Sequence, residues 1–433
     1  PLTHPYLTTD YSEALLEIIT PPLGSPTAAL AFLQDAHKFV YQGLGDEILW
    51  ATSMPCALAD PDSIPIAEYG PSNAGVMKTV YRRGLGYRYG RPMQTIAGVH
   101  FNYSVPTAFW PIYRDLLGDS RSDDAFRSDH YLRQIRNFRR FGWLILYLFG
   151  ASPALCRSFE SASTLDMPTL RGDTLYQPYA TSLRMSDLGY SNKTQAGIRL
   201  SLNDLDEYIT ALSNAIKTPE PRYEEIGVKV DDEYRQLSAN TLQIENEYYS
   251  PVRPKRVAKS GERPTAALRR GGIEYVEIRS LDVNLYDPAG INQNTMRFVE
   301  AFLLYCLLED SPPLDDEDLA RSMRNHSRVA KAGREPGLEL ERADGKQPLR
   351  DWALAMVDDV ARIAELIDAG EGADDYAAAV KVMRARVIDP DATPSAMLLD
   401  ELAAGPRGYA EYVLDVARQH GEYFRALRPL PAR

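Results

Sequence analysis

The chain has 433 residues, 44% hydrophobic and 25% charged, with 48 Lys and Arg against 60 Asp and Glu for a net charge of −12. This is the composition of a soluble globular enzyme with the length of two or three domains, and the acidic balance disfavours a general nucleic-acid or anionic-membrane partner. Cys56, Cys156 and Cys306 are widely spaced and in no C-x-x-C arrangement, which argues against a disulfide framework and fits a reducing cytoplasm; the apolar runs SPALC and FLLYC predict buried, inert thiols at Cys156 and Cys306.

The chain opens on PLTHPYLTTDYSEALLEIITPP, which carries no signal peptide and reads as mid-protein sequence. Either an initiator Met preceded Pro1 or a leading segment is missing. In DYSEALLEIIT, Tyr11, Glu13, Leu15 and Glu17 share one parity, a period that fits helix or strand. TAALAFLQDAHKFV (27–40) is predicted helical. MQTIAGVHFNYSVP is predicted as a strand with Gln94, Gly98, His100, Asn102 and Ser104 on one side, Ile96 being their one large apolar companion. Thr95, Ala97, Val99, Phe101, Tyr103 and Val105 lie on the other. A half-exposed structural strand alternates in the same way and is the default for such a strand alone, but His and Asn among small neighbours suit a cleft floor.

The most apolar run, FGWLILYLFGA (141–151), follows the Arg-rich RQIRNFRR and is about half the length of a membrane-spanning helix, so a buried helix or strand is expected. NDLDEYITALSNAIK (203–217) reads as a helix capped by Asn203 or Asp204. LQIENEYYSPVRPKR sets Gln243, Glu245, Glu247 and Tyr249 on one face and runs into Arg253, Lys255, Arg256 and Lys259. That cluster is either a phosphate-binding patch or a solvated basic loop. In GGIEYVEIRS, Ile273, Tyr275, Glu277 and Arg279 oppose Glu274, Val276 and Ile278. Glu-x-Arg on one face offers a carboxylate to a metal and a guanidinium to an anion, or else a surface ion pair worth little. Gly271 and Gly272 permit close approach of another backbone or a ligand.

From about Gln293 the pattern becomes helical: 295–310, 351–370 with Gly370 as C-cap, and 374–389; the charged, Pro- and Gly-rich stretch 311–350 reads as a surface connection. We expect a mixed α/β catalytic body over 1–292 and a mainly helical part over 293–433 packed on the same domain. P-loop, GxGxxG, GxSxG, HExxH and zinc-spaced Cys/His patterns are missing from the sequence, so phosphates and Mg²⁺ would have to be held by scattered carboxylates and cations.

Eight runs in order, SMPC (53–56), YGPSN (69–73), YRRGL–RYG (81–90), MQTIAGVHFNYS (93–104), RQIRNFRRFGW–YLFGASPALC (133–156), PYATSLRMSDLGY (178–190), LQIENEYYSPVRPKR (242–256) and RGGIEYVEIRSLDVN (270–284), resemble the proteobacterial glutamate–cysteine ligase family. The likeness extends from residue 1 to about 340 and thins in the helical C-terminus. It implies an α+β fold, an antiparallel-sheet funnel of the glutamine synthetase catalytic-domain type with a helical C-terminal part. It also implies ATP-dependent joining of L-glutamate, through γ-glutamyl phosphate, to L-cysteine, the first step of glutathione biosynthesis, by a cytoplasmic monomer with ATP and Mg²⁺ (or Mn²⁺) and no nucleic-acid or membrane partner.

Carried over by position, the resemblance gives Glu17 and Glu277 as metal ligands, His100 beside metal and phosphates, Arg279 on glutamate or the transferred phosphate, and Lys255 and Arg256 on the nucleotide. Its cysteine pocket maps to Tyr11, Tyr81, Leu85, Gln94, Asn102, Arg184, Tyr190 and Tyr249, with Tyr11 standing where the family more usually has Phe. The family's first strand, bearing a Glu-x-Glu pair (roughly GLERE) with further metal ligands, has no counterpart before Pro1. The expectation is a chain trimmed of that segment; the alternatives are a same-fold ligase for another amine and a truncated homologue that binds without turnover.

Overall fold

The structure, a computed structural model, describes residues 4–58, 60–159, 167–189 and 195–427. Its described strands form five small antiparallel sheets set among helices. The largest relevant one has the strand Tyr275–Leu281 at its centre, with Val99–Tyr103 on one side and Val252–Lys255 on the other. Alternation works in the central strand because both edges are paired: Val276 and Ile278 are fully buried while Tyr275 and Arg279 face the other way, partly exposed.

Beneath this sheet lies the helix Asp123–Phe141, which buries Phe126, Leu132, Ile135 and Phe138. Each such side chain contributes about 1.5–3 kcal/mol when removed from water. Gln293–Leu308 packs against it in turn, and Leu349–Glu371 and Asp375–Ile388 cover that helix, so one buried cluster runs from Ile278 through Phe302 to Val357 and Val380. Helix starts follow side-chain capping: Ser25, Ser72, Ser122, Asp204 and Asn292 each accept a first-turn N–H. Asp204, rather than Asn203, is therefore the cap of the helix Leu205–Ala215. The apolar run after Phe141 is the wholly buried helix Trp143–Phe149, and among the described residues no helix is long and apolar enough to cross a membrane.

Several sequence expectations change. The strand read over 93–106 is confined to Val99–Tyr103, because Pro92 starts a 3-10 turn closed by the Thr95 hydroxyl on the Pro92 carbonyl at 2.7 Å. The 242–256 run is not one strand: Glu245–Glu247 is a 3-10 turn and pairing begins at Val252. The 311–350 connection contains the helix Asp316–Ala332, capped by Asp315, and the hairpin Glu339–Arg342/Gly345–Pro348. Its solvent face is so charged that the buried Val329 and Ala330 were hidden in the pattern. The helix predicted to stop at Gly370 stops at Gly372, whose φ of +68° suits glycine.

The cysteine expectation is corrected as well. Cys56 and Cys156 form a disulfide, their Cα atoms 5.4 Å apart across a sequence separation of 100, and Cys306 is the buried free thiol among the described residues. Tertiary packing of the 51–56 loop on the strand Ala154–Cys156 makes a pair that spacing could not reveal. Cys56→Ser is expected to lower unfolding free energy by about 2–4 kcal/mol under oxidising conditions, the usual worth of a long-loop disulfide. Denaturant titration checks this, and an unchanged midpoint would mean the bond does not form in solution.

Candidate active site

The central strand carries the site. Antiparallel register sets Glu277 opposite Asn102 on one neighbour and Arg253 on the other, so the three form a row across one face. Glu277 is 8% exposed and ringed by cations: Arg279 Nη1 at 3.4 Å, Lys255 Nζ at 3.7 Å and Arg253 Nη1 at 3.8 Å. Burial alone would raise its carboxyl, but Arg279, then Lys255 and Arg253, outweigh it and hold the group at about 2. His100 brings Nδ1 within 3.4 Å of Arg279 Nη1. Solvent reaches its edge, yet the surrounding protein, and then Arg279, hold the ring far below its ordinary value, so it is neutral at pH 7.

The hairpin Leu7–Thr9/Leu16–Ile18 supplies the opposing wall, with Glu17 across from Thr8. Solvent reaches Glu17, but the protein around it and the charges of Asp10 and Glu277 push its carboxyl up to about 7. Asp10 is raised too, mainly by its surroundings, with Arg82 and Arg279 pulling the other way. Asp10 was missed by parity because the chain turns at that residue, its N–H donating to the Leu15 carbonyl at 3.0 Å. Arg82, also missed, donates from Nε to the Asp10 carbonyl and lies over the Tyr69 ring at 4.5 Å. Arg253 was seen only as part of a basic run. Its neighbour Arg256, which the resemblance assigns to the nucleotide, donates to the Gly271 and Gly272 carbonyls, the latter at 3.2 Å.

The residues that the resemblance assigns to an amine pocket differ in their surroundings. Arg184 is 2% exposed: Nη1 lies 3.5 Å from the Asp282 carboxylate and 3.1 Å from Met185 Sδ, and Nη2 donates to the Arg279 carbonyl at 2.8 Å. Tyr249 donates to the same Met185 sulfur at 3.3 Å. Tyr11 is buried with its hydroxyl packed on Gly86, where a Cβ would come within 2.5 Å of it, and that hydroxyl has no hydrogen-bond partner among the described residues. Burial raises the Tyr81 phenol, which senses Glu247, Arg253, Arg82 and Asp10 in that order. Leu85 and Gln94 are half-buried and Asn102 is exposed; Tyr190 lies outside the described residues. Glu245 and Glu247 do not face the cleft as their parity with Tyr249 suggested. Glu245 accepts from Thr265 at 2.8 Å, and Glu247 pairs with Arg88 at 2.9 Å between side chains with no exposure.

Gly98 shows why that strand begins with small residues. A Cβ there would lie 2.0 Å from Arg184 Nη2. Gly98→Ala is therefore expected to displace the guanidinium and raise KM for the amine substrate by roughly tenfold, about one charged hydrogen bond. Steady-state kinetics test it; an unchanged KM would remove Arg184 from the pocket.

Among the described residues no three His, Cys, Asp or Glu side chains converge tightly enough to form a metal site by themselves. Burial, and after it the charges of Asp10 and Glu277, nevertheless raise Glu17, so these three carboxylates sense one another and offer the oxygen ligands a hard dication takes.

Residues 1–329 match the family model described as glutamate-cysteine ligase. The chain is 49% identical over 428 residues to the glutamate–cysteine ligase of Alcanivorax borkumensis, covering 98% of this chain and 82% of that one. It is 49% identical over 424 residues to that of Pseudomonas putida strain KT2440, covering 98% and 81%. A crystal structure of glutamate–cysteine ligase from Francisella tularensis in complex with AMP superposes with a TM-score of 0.90 at 36% identity, covering 99% of this chain and 83% of that one. A bifunctional glutathione synthetase from Pasteurella multocida shares the fold, with a TM-score of 0.77 at 23% identity over 97% of this chain and 48% of that one. With the family model spanning most of the chain and near-full-length relatives at this identity, the chain belongs to the glutamate–cysteine ligase family.

Proposed function

We propose that this chain is an ATP-dependent ligase that joins L-glutamate to L-cysteine through γ-glutamyl phosphate, the first step of glutathione biosynthesis. The observation that carries the reading is Glu277 within 3.8 Å of three cations on a cleft-facing strand, in a family whose Francisella member was crystallised with AMP. A free carboxylate is a poor electrophile at neutral pH; phosphorylation gives it a leaving group. Arg279, Lys255 and Arg253 converge where charge would build on the transferring phosphoryl, and fixed cations stabilise such charge without reorganising. Neutral His100 can accept a hydrogen bond there, while Arg184, Tyr81 and Tyr249, with Tyr11, Leu85, Gln94 and Asn102, hold the amine.

Glu17 and Glu277, with Asp10, would hold Mg²⁺ (or Mn²⁺), and two or three carboxylates suffice in kind because Mg²⁺ commonly completes its shell with water and phosphate oxygens. When bound, the ion supplies charge neutralisation for the nucleotide phosphates. The same reading has the sheet around Glu277 as part of an antiparallel funnel, the 1–292 and 293–433 parts as one domain, and a cytoplasmic monomer.

The test is phosphate release from ATP and Mg²⁺ with glutamate, with and without cysteine. Cysteine-dependent release supports the proposal. Release driven by another amine but not by cysteine favours a different ligase, and no turnover under any combination sinks both.

A further inference from the structure

Arg279 occupies an irregular stretch of the central strand. Register moves from Ile278↔Phe101 to Leu281↔Val99, so three steps on one strand match two on the other, a bulge that contains Arg279 and Ser280. Bulges re-aim side chains, and this one must be held. The Arg279 N–H donates to the Pro251 carbonyl at 2.9 Å, and the Arg279 carbonyl accepts from Arg184 Nη2 at 2.8 Å. Arg184 in turn is anchored by Asp282, three residues beyond Arg279 on the same segment.

Asp282 is 4% exposed, with four donors around its carboxylate. Oδ2 accepts from the Ala151 N–H at 2.8 Å and the Ser152 hydroxyl at 2.7 Å; Oδ1 accepts from the Ser182 hydroxyl at 3.0 Å and faces Arg184 Nη1 at 3.5 Å. A buried carboxylate so surrounded is held in one position. It ties together the 151–152 turn, the 182–184 turn and the end of the central strand.

We propose that Asp282 is a positioning residue for the ligation. It fixes Arg184, and through Arg184 both the wall of the amine pocket and the bulged peptide that aims Arg279. The two half-sites, one for the amine and one for the phosphoryl group, thus share a single buried anchor. This rests on the ligase reading above.

Asp282→Asn is the direct test. The Ala151 N–H requires the surviving oxygen, which turns the new amide nitrogen toward Ser182, which can accept from it, and toward Arg184, which cannot. Steady-state kinetics on the full chain should show KM for cysteine raised by roughly tenfold or more and kcat lowered as Arg279 loses its aim, with KM for ATP changed by less than about twofold. Circular dichroism and a denaturant midpoint establish that the variant is folded under assay conditions. An unchanged KM for cysteine, or an equal rise for both substrates in folded protein, overturns the positioning role. Should Asp282→Asn fail to fold, Arg184→Lys replaces it: an ammonium keeps the charge opposite Asp282 but cannot also reach the Arg279 carbonyl, and the same split is expected, with an equal rise again overturning the role. Wild type is assayed in parallel. Absence of cysteine-dependent phosphate release there overturns the ligase reading and this one with it, whereas normal wild-type turnover with an unaffected variant overturns the Asp282 role alone.

Discussion

Glu277→Gln is expected to abolish turnover, with kcat falling by about a thousandfold or more at saturating Mg²⁺, at the upper end of what one transition-state electrostatic contact supplies. Glutamine keeps the shape but leaves Arg253, Lys255 and Arg279, all within 3.8 Å, without the charge they converge on. It also removes a carboxylate proposed to hold the dication. Both losses act on the phosphoryl step, so kcat should fall much further than KM for cysteine rises. A near-normal kcat at saturating Mg²⁺ would contradict both roles.

Arg184→Ala should injure the protein twice. KM for cysteine is expected to rise much more than KM for ATP, because the side chain is proposed to line the amine pocket. Stability is expected to drop by about 3–5 kcal/mol, the cost of leaving one member of a buried ion pair alone, since the two side chains are 2% and 0% exposed. Domains commonly have about 5–15 kcal/mol in total, so the kinetics belong at reduced temperature. Equal losses for both substrates would mean that the pocket assignment is wrong; an unchanged denaturant midpoint would mean that Asp282 is solvated in solution.

The parts of the site legible in the sequence are those that period-two alternation reports. Glu277 and Arg279 lie on one face of Tyr275–Leu281, and His100 and Asn102 on one face of Val99–Tyr103, because pairing is regular up to Ile278 and the opposite side is apolar. The helices after Gln293 were legible for the analogous reason, a persistent three- and four-residue apolar spacing. Alternation fails where the chain turns. Asp10 lies at the turn of a tight hairpin, and Glu245 and Glu247 in a 3-10 turn, so parity missed the first and misplaced the other two. Arg184 reads as surface-polar by composition, whereas its burial depends on Asp282, distant in sequence, and on Gly98. The Cys56–Cys156 pairing is likewise a product of tertiary packing alone.

The cations around Glu277 have a consequence for how the protein meets its nucleotide. A molecule of net charge −12 repels polyanions at long range, while its cleft sets three positive groups against one carboxylate on the central sheet. At physiological ionic strength the Debye length is about 8 Å, so mobile ions damp the outer repulsion far more than the inner attraction between partly buried groups. Added salt therefore has two opposing influences on the encounter, easing approach while weakening only the last few ångströms of capture. Nucleotide association should tolerate salt far better than in an enzyme whose steering field lies on its outer surface.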